Sequence, residues 1–207
     1  MPKVTEEYKQ QKRNLILDCA MECFAVNGYQ ESTIDDIVAK SGMSKGAVYN
    51  YFKSKDDIYL TLLDRNTEKT FDYLSKGFDN FTTATEKIKH MLKIYFQITY
   101  KEDDLWLGKQ RVHLEFWINA SQNEELRKAM EEHAEKFITF LEKMIDEGKA
   151  NGEFRQDIDS RITSEAFWAL NDGVRLHLLV AKEKFPFSKV YEHIDRLYMN
   201  FLKGITT

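Results

Sequence analysis

The spacing of apolar residues along the chain predicts an all-α protein. Apolar positions recur every three or four residues through most of the sequence, and no segment keeps the alternation that is typical of a strand. Prolines, which interrupt helices, occur only at Pro2 and Pro186. Together with the capping residues, this pattern predicts nine helices, over residues 9–27, 33–40, 44–51, 54–78, 84–100, 103–119, 122–149, 159–183 and 187–203.

The capping residues after position 32 predict two short helices joined by a tight turn. Thr33 is followed three residues later by Asp36, which is the pattern of a capping box, and Ser44 can cap the next helix. Gly42 stands between the two helices, at a position where a left-handed turn residue is wanted. The segment therefore has the layout of a helix-turn-helix.

The second of these helices buries little and presents polar side chains. Val48 and Phe52 fall on its inward face. The side chains left to face outward are those of Lys45, Tyr49, Asn50 and Tyr51. A short helix of this kind is typical of the recognition helix that enters the major groove of DNA. An ordinary helical hairpin inside an all-α core is the alternative interpretation.

The sequence from Ser44 to Lys55 closely resembles the recognition module of the TetR family of bacterial transcriptional regulators. It has a Ser-Lys-Gly opening, a tyrosine, a phenylalanine three positions further on, and a Ser-Lys pair followed by two acidic residues. The resemblance covers about residues 9–60 and implies a three-helix helix-turn-helix head followed by a six-helix regulatory body. We therefore expect a DNA-binding domain over residues 1–60 and a ligand-binding and dimerisation domain over residues 61–207.

Nine head residues are candidates for contact with DNA, and the resemblance implies eight of them. Ser44, Lys45 and Gly46 open the recognition helix, where amide groups and a cation meet phosphate. Ala47 is small enough to contact a thymine methyl group, and Lys45 can reach guanine acceptors or phosphate. Asn50 occupies a position that the family leaves free, and its amide could read adenine or make no contact at all. The implied contacts with the DNA backbone come from Thr33, Tyr49, Tyr51 and Lys55.

The charge balance favours selective DNA binding over bulk attraction. The 207-residue chain has a formal net charge of −4, and even residues 1–60 are not basic overall. Basic residues are instead placed locally, with three lysines and no acid between positions 44 and 55. No apolar run approaches the roughly 18 residues that would span a bilayer, and no leader segment is recognisable. We expect a cytoplasmic protein without a membrane partner.

The sequence contains no catalytic grouping, so we expect neither an enzyme nor a cofactor. Its five histidines are scattered, and it lacks a nucleophile elbow, a phosphate loop and a glycine-rich dinucleotide turn. Cys19 and Cys23 lie one helical turn apart, which places them poorly for a disulfide. Apolar packing is the favoured role for the two thiols, and a redox switch is the alternative.

Aromatic residues are concentrated in the predicted body. Each of these residues alone is typical of core packing. As a group on four helices, they are also typical of a cavity that binds a planar or hydrophobic ligand. Asn171, Asp172 and Arg175 are either a satisfied structural network or the contacts that orient an effector, and Glu115 could counter a cationic ligand. The candidate cavity residues are Phe96, Tyr100, His113, Phe116, Trp117, Phe137, Phe140 and Trp168.

The last helix carries an apolar stripe that needs a partner surface. Paired with helix 159–183, it could build a two-fold interface in a homodimer, as the resemblance implies. We therefore expect a ligand-responsive regulator, a repressor, that binds a near-palindromic double-stranded operator and is released by a small hydrophobic effector. The alternatives are a small-molecule-binding or enzymatic helical protein with a vestigial head, and a chromosome-organising DNA-binding protein.

Overall fold

The computed structural model describes residues 5–95 and 104–205, and within these ranges the chain forms helices and no β-strand. The α-helices, numbered in chain order, are α1 (Glu6–Asn27), α2 (Ile34–Ser41), α3 (Lys45–Tyr49), α4 (Lys55–Phe78), α5 (Ala84–Lys93), α6 (Asp104–Ala120), α7 (Glu124–Ala150), α8 (Ser160–Ala181) and α9 (Phe187–Lys203). The predicted all-α class with nine helices is confirmed for this part of the chain. None of the described helices combines the length and apolar character that crossing a membrane requires.

Side-chain caps set the starts of the two helices in the helix-turn-helix. The Thr33 hydroxyl accepts the N–H of Asp36 at 3.2 Å, and the Asp36 carboxylate accepts the N–H of Thr33 at 2.8 Å. The predicted capping box is therefore present. Gly42 ends α2 in the left-handed region with a φ of 65°, and Ser44 caps α3 by accepting the N–H of Ala47 at 3.2 Å.

The helices group into two compact units that do not follow the chain continuously. The head unit comprises residues 5–68 and 104–130, and the body unit comprises residues 69–95 and 131–205. Helix α6 thus belongs to the same unit as the helix-turn-helix, although α4 and α5 separate the two in the sequence. The expected functional division into residues 1–60 and 61–207 stays a prediction.

The core of the head unit is centred on four aromatic rings. Phe24, Tyr29, Tyr59 and Phe116 have ring centroids between 4.2 and 6.1 Å apart, mostly in edge-to-face or tilted pairs. Buried aliphatic side chains from α1, α2, α3, α4 and α6 surround these rings. The packing ties the recognition helix to α6 through one continuous core.

Helix α6 lies unusually close to the end of α1. A β-carbon added at Gly108 would lie 2.1 Å from the carbonyl oxygen of Ala25, so this contact requires glycine. Arg111 donates to the carbonyl oxygens of Ala25 and Val26 at 3.1 and 3.2 Å. Because the last carbonyls of a helix lack intrahelical donors, Arg111 acts as a cap supplied by another helix.

In the body unit, the loop after α7 fastens the start of α5. The Glu153 carboxylate accepts the N–H groups of Ala84 and Thr85 at 2.8 and 2.9 Å. Gly148 makes room for this loop, because a β-carbon there would lie 2.2 Å from the ring of Phe154. A side chain distant in sequence thus supplies acceptors to the free amides at the N-terminus of α5.

Candidate DNA interface and effector site

Two buried side chains hold α3 on the head unit, and most of the other side chains of this segment are exposed. Val48 is fully buried, and Phe52 in the turn after α3 is 1% exposed. Tyr51 and Ala47 are half-buried. The exposed residues of the predicted DNA set are Thr33, Ser44, Lys45, Gly46, Tyr49 and Asn50. The structure thus brings this predicted set together on and beside one short helix.

Gly46 stands in α3 without a packing reason inside the protein. A β-carbon added there would meet no heavy atom within 4 Å. Glycine in a helix lowers stability by about 1 kcal/mol relative to alanine. A glycine with free space around it is therefore explained best by a partner outside the protein that needs this space. The absence of a side chain leaves the backbone of α3 accessible to a closely approaching partner.

Lys45 forms an exposed ion pair with Asp35 of α2. Its ammonium nitrogen lies 2.8 Å from the carboxylate, and this hydrogen bond raises the pKa of Lys45. Exposed ion pairs contribute little to stability because water and salt screen both charges. The ion pair therefore orients the Lys45 side chain but holds it only weakly. A phosphate group could take the place of the Asp35 carboxylate as its partner.

Lys55, which the resemblance assigned to a phosphate contact, is bound to the protein itself. Its ammonium group donates to the carbonyl oxygens of Tyr29, Gln30 and Ser32 at 2.8, 3.0 and 2.9 Å. It also lies 4.5 Å from the centroid of the Tyr29 ring. Burial lowers the pKa of Lys55. All three ammonium hydrogens are used to hold the loop between α1 and α2.

Tyr29 in this loop is a residue that the sequence reasoning missed. Its hydroxyl donates to Asp56 at the start of α4, and its N–H donates to Glu115 of α6 at 2.7 Å. Burial, followed by the hydrogen bond to Asp56, raises the pKa of the phenol. Glu115 also lies 3.5 Å from Arg111. The carboxylate of Glu115 thus binds groups of the head unit. These contacts argue against the suggested role of Glu115 beside a cationic ligand.

Three of the candidate cavity residues lie in the head unit. Phe116 is fully buried in the aromatic core beside Tyr29 and Tyr59. The indole N–H of Trp117 donates to Nε2 of His113 at 3.0 Å. The surroundings of Phe116 are those of a core residue.

The other described cavity candidates lie together in the body unit. The ring centroids of Phe137 and Trp168 are 5.1 Å apart, and Tyr95 lies 5.0 Å from Trp168. Phe140 stacks on Phe71 of α4 at 4.6 Å. Phe96 and Tyr100 lie outside the described residues. A group of aromatic rings therefore lines the interior between α4, α7 and α8 within this unit.

Three polar residues follow Trp168 on α8. Asn171 is 2% exposed, and its side-chain nitrogen has no hydrogen-bond partner. Arg175 and Asp172 form a long ion pair at 3.5 Å, and burial raises the pKa of the Asp172 carboxyl group. The unpartnered nitrogen of Asn171 favours the second expectation, contacts that orient an effector, and this stays a prediction.

The two cysteines have the surroundings of packed core residues. Cys19 and Cys23 are buried, and burial raises the pKa of both thiols, which disfavours the reactive thiolate. Within the described ranges, no group of three or more histidine, cysteine or acidic residues could hold a metal ion.

The capped turn and the exposed helix α3 define the class of the protein, which is a helix-turn-helix protein. The family described as bacterial regulatory proteins of the tetR family matches residues 16–62, and the C-terminal domain of BetI-type transcriptional repressors matches residues 84–203. The chain belongs to the tetR family. The predicted resemblance is thereby confirmed and extends beyond the head.

Similar proteins are also regulators. The fatty acid metabolism regulator protein of Bacillus subtilis is 26% identical over 174 residues, which cover 79% of this chain and 87% of the relative. The solved structure of the fatty acid degradation regulator FadR from Bacillus halodurans has a TM-score of 0.78 at 23% identity, covering 93% and 96% of the two chains. A transcriptional regulator from Saccharomonospora viridis in complex with choline has a TM-score of 0.77 at 24% identity, covering 91% and 95%.

Proposed function

We propose that the protein is a homodimeric, ligand-responsive repressor that acts in the cytoplasm on double-stranded operator DNA. The exposed face of α3 carries this proposal, because Val48 and Phe52 anchor the helix while Lys45, Gly46 and Tyr49 are exposed. Each head would place α3 in a major groove, and the two grooves would lie about 34–36 Å apart or slightly more on a near-palindromic site.

The proposed DNA contacts divide into positioning and reading. Ser44, Lys45 and Tyr49 meet phosphates, and Gly46 lets the DNA backbone approach the start of α3. The remaining contacts are Thr33 and Tyr51 with the DNA backbone, and Ala47 and Asn50 with base edges. Lys55 acts indirectly, by fixing the loop that supports α2. This assignment changes the expectation for Lys55 and keeps the others.

The apolar faces that α8 and α9 leave exposed support the proposed homodimer. Ile162, Leu170 and Val180 lie along one side of α8, and each is exposed. Leu197 and Phe201 lie four residues apart on α9 and are each 49% exposed. Repeated exposure of large apolar side chains on one helix face is typical of an interface.

An effector in the body would release the DNA by binding one conformation of the dimer better than the other. The ligand can change the affinity of the dimer for DNA only as far as its own affinities for the two conformations differ. The aromatic rings around Trp168 favour a hydrophobic, aromatic molecule over a sugar or a phosphate ester. The relative that binds choline supports a small-molecule effector without fixing its identity.

Operator binding is tested by titrating DNA fragments from the neighbourhood of the gene with the wild type and with Tyr49→Phe and Lys45→Ala. Both variants should bind all sequences more weakly, because both side chains are assigned to the DNA backbone. Lys45→Ala should also reduce the slope of log affinity against log salt by about one unit. Lys143→Ala, which removes an exposed lysine of α7, is the control. An unchanged affinity for both α3 variants would refute the assignment.

A further inference from the structure

We propose that Trp168 and Asn171 are the hydrogen-bonding anchor of a ligand site in the body unit. The site takes an apolar molecule whose head is a hydrogen-bond acceptor, a carbonyl or carboxylate oxygen. This inference rests on the proposed ligand response and names the chemical class of the effector.

The two residues present buried donors that have no hydrogen-bond partner within the described part of the chain. The indole nitrogen of Trp168 and the side-chain nitrogen of Asn171 are both buried without a hydrogen-bond partner. Buried polar groups in folded proteins are almost always paired, because an unpaired donor loses its bonds to water and gains nothing. Two unpaired donors three residues apart therefore indicate that a molecule from outside supplies the acceptor.

Helical geometry places these donors on one side of α8. Residues three and seven positions apart share a helix face, so Trp168, Asn171 and Arg175 form one stripe. The stripe carries an indole N–H, an amide and a guanidinium, and all three supply N–H donors. It adjoins the rings of Tyr95 and Phe137, which lie edge-to-face against Trp168 at 5.0 and 5.1 Å. The rings would hold the apolar part of the ligand while the stripe holds its head.

The charges beside the donors argue against a cationic ligand. An ammonium group offers only donors or, when methylated, no hydrogen-bonding group at all, so it leaves both unpaired nitrogens unsatisfied. Asp172, the acidic residue beside the stripe, already lies 3.5 Å from Arg175, and burial raises its pKa. A neutral carbonyl or an acid fits these surroundings better than a base.

Calorimetric titration of the full-length protein with four matched probes tests the class of head group. The probes are phenylbutyramide, phenylbutyrate, phenylbutylamine and butylbenzene, which share one apolar body. We expect the amide and the acid to bind about tenfold more tightly than the amine and the hydrocarbon. Trp168→Phe and Asn171→Leu should each weaken the two acceptor probes by about two- to tenfold, and should change the binding of butylbenzene by less than that.

Thermal unfolding without ligand provides a second readout. Because the side-chain nitrogen of Asn171 has no hydrogen-bond partner, replacing this side chain by leucine breaks no hydrogen bond of that nitrogen. Asn171→Leu should leave the Tm unchanged or raise it. A clear fall in the Tm of Asn171→Leu, or a probe series without the expected ranking, would overturn the anchor. If the protein binds the probes as expected but binds no DNA, the proposed function is wrong and the proposed role of Trp168 and Asn171 is not affected.

Discussion

The ammonium group of Lys55 replaces backbone partners that the loop between α1 and α2 lacks. Three carbonyl oxygens of residues 29, 30 and 32 point at this one nitrogen, at distances between 2.8 and 3.0 Å. A loop outside regular structure has few amide donors to offer its carbonyls, so a side chain must supply them. At the scale of single residues, a lysine that resembles a DNA contact is a structural element of the head.

Replacing Lys55 by alanine should therefore destabilise the fold. We expect the free energy of unfolding to fall by roughly 1–3 kcal/mol, because three carbonyls lose a charged donor. Denaturant unfolding followed by circular dichroism measures the change. The matched control is Lys53→Ala, which removes an exposed lysine two positions away. Unchanged stability together with a shallower salt dependence of DNA binding would return Lys55 to the role of a phosphate contact.

Helices α7 and α8 are tied together by a surface network around Glu135. Both carboxylate oxygens of Glu135 accept from Arg161 at 2.5 Å, and Thr139 donates to the same carboxylate at 2.9 Å. Arg161 also pairs with Glu165 at 2.9 Å. These hydrogen bonds, with that of Arg161 largest, lower the pKa of Glu135 from 4.5 to about 2.

This shift gives the stability of the body unit a defined pH dependence. Since the pKa of Glu135 is lower in the folded state, its contribution is complete above pH 4.5 and is lost as the pH falls towards 2. The variant Glu135→Gln should unfold at a lower temperature than the wild type at neutral pH, and the gap should close in acid. Glu132→Gln, at an exposed position of the same helix, is the control. A gap independent of pH would contradict this account.

Sequence signals predicted the elements better than they predicted how side chains from different elements meet. The starts of α2 and α3 depend on Thr33 and Ser44, which act on amides three residues away, so local patterns were enough. Phe116 was predicted for a ligand cavity, but its ring packs on Tyr29, 87 positions earlier in the chain. Such contacts depend on the packing of whole helices, and aromatic composition alone does not separate a core from a cavity.

At the scale of the whole molecule, the proposed dimer makes the clearest prediction. Replacing Leu197 or Phe201 by glutamate should split the dimer or greatly weaken it, because association would bury an unpaired charge. Sedimentation at several protein concentrations measures the change. Ile118→Glu, at an apolar position of α6 that is 69% exposed, should leave the dimer intact. If both α9 variants still form a normal dimer, the dimer interface does not include this face of α9.

Genome-wide mapping of binding sites in cells tests the central claim, that this protein represses transcription from chosen operators, most directly. We expect a few sites at promoters, higher transcription of the adjacent genes when the protein is deleted, and loss of both effects with Lys45→Ala. Many dispersed sites without a transcriptional response would contradict the account and favour a chromosome-organising protein. The absence of any site would favour a helical protein with a vestigial head.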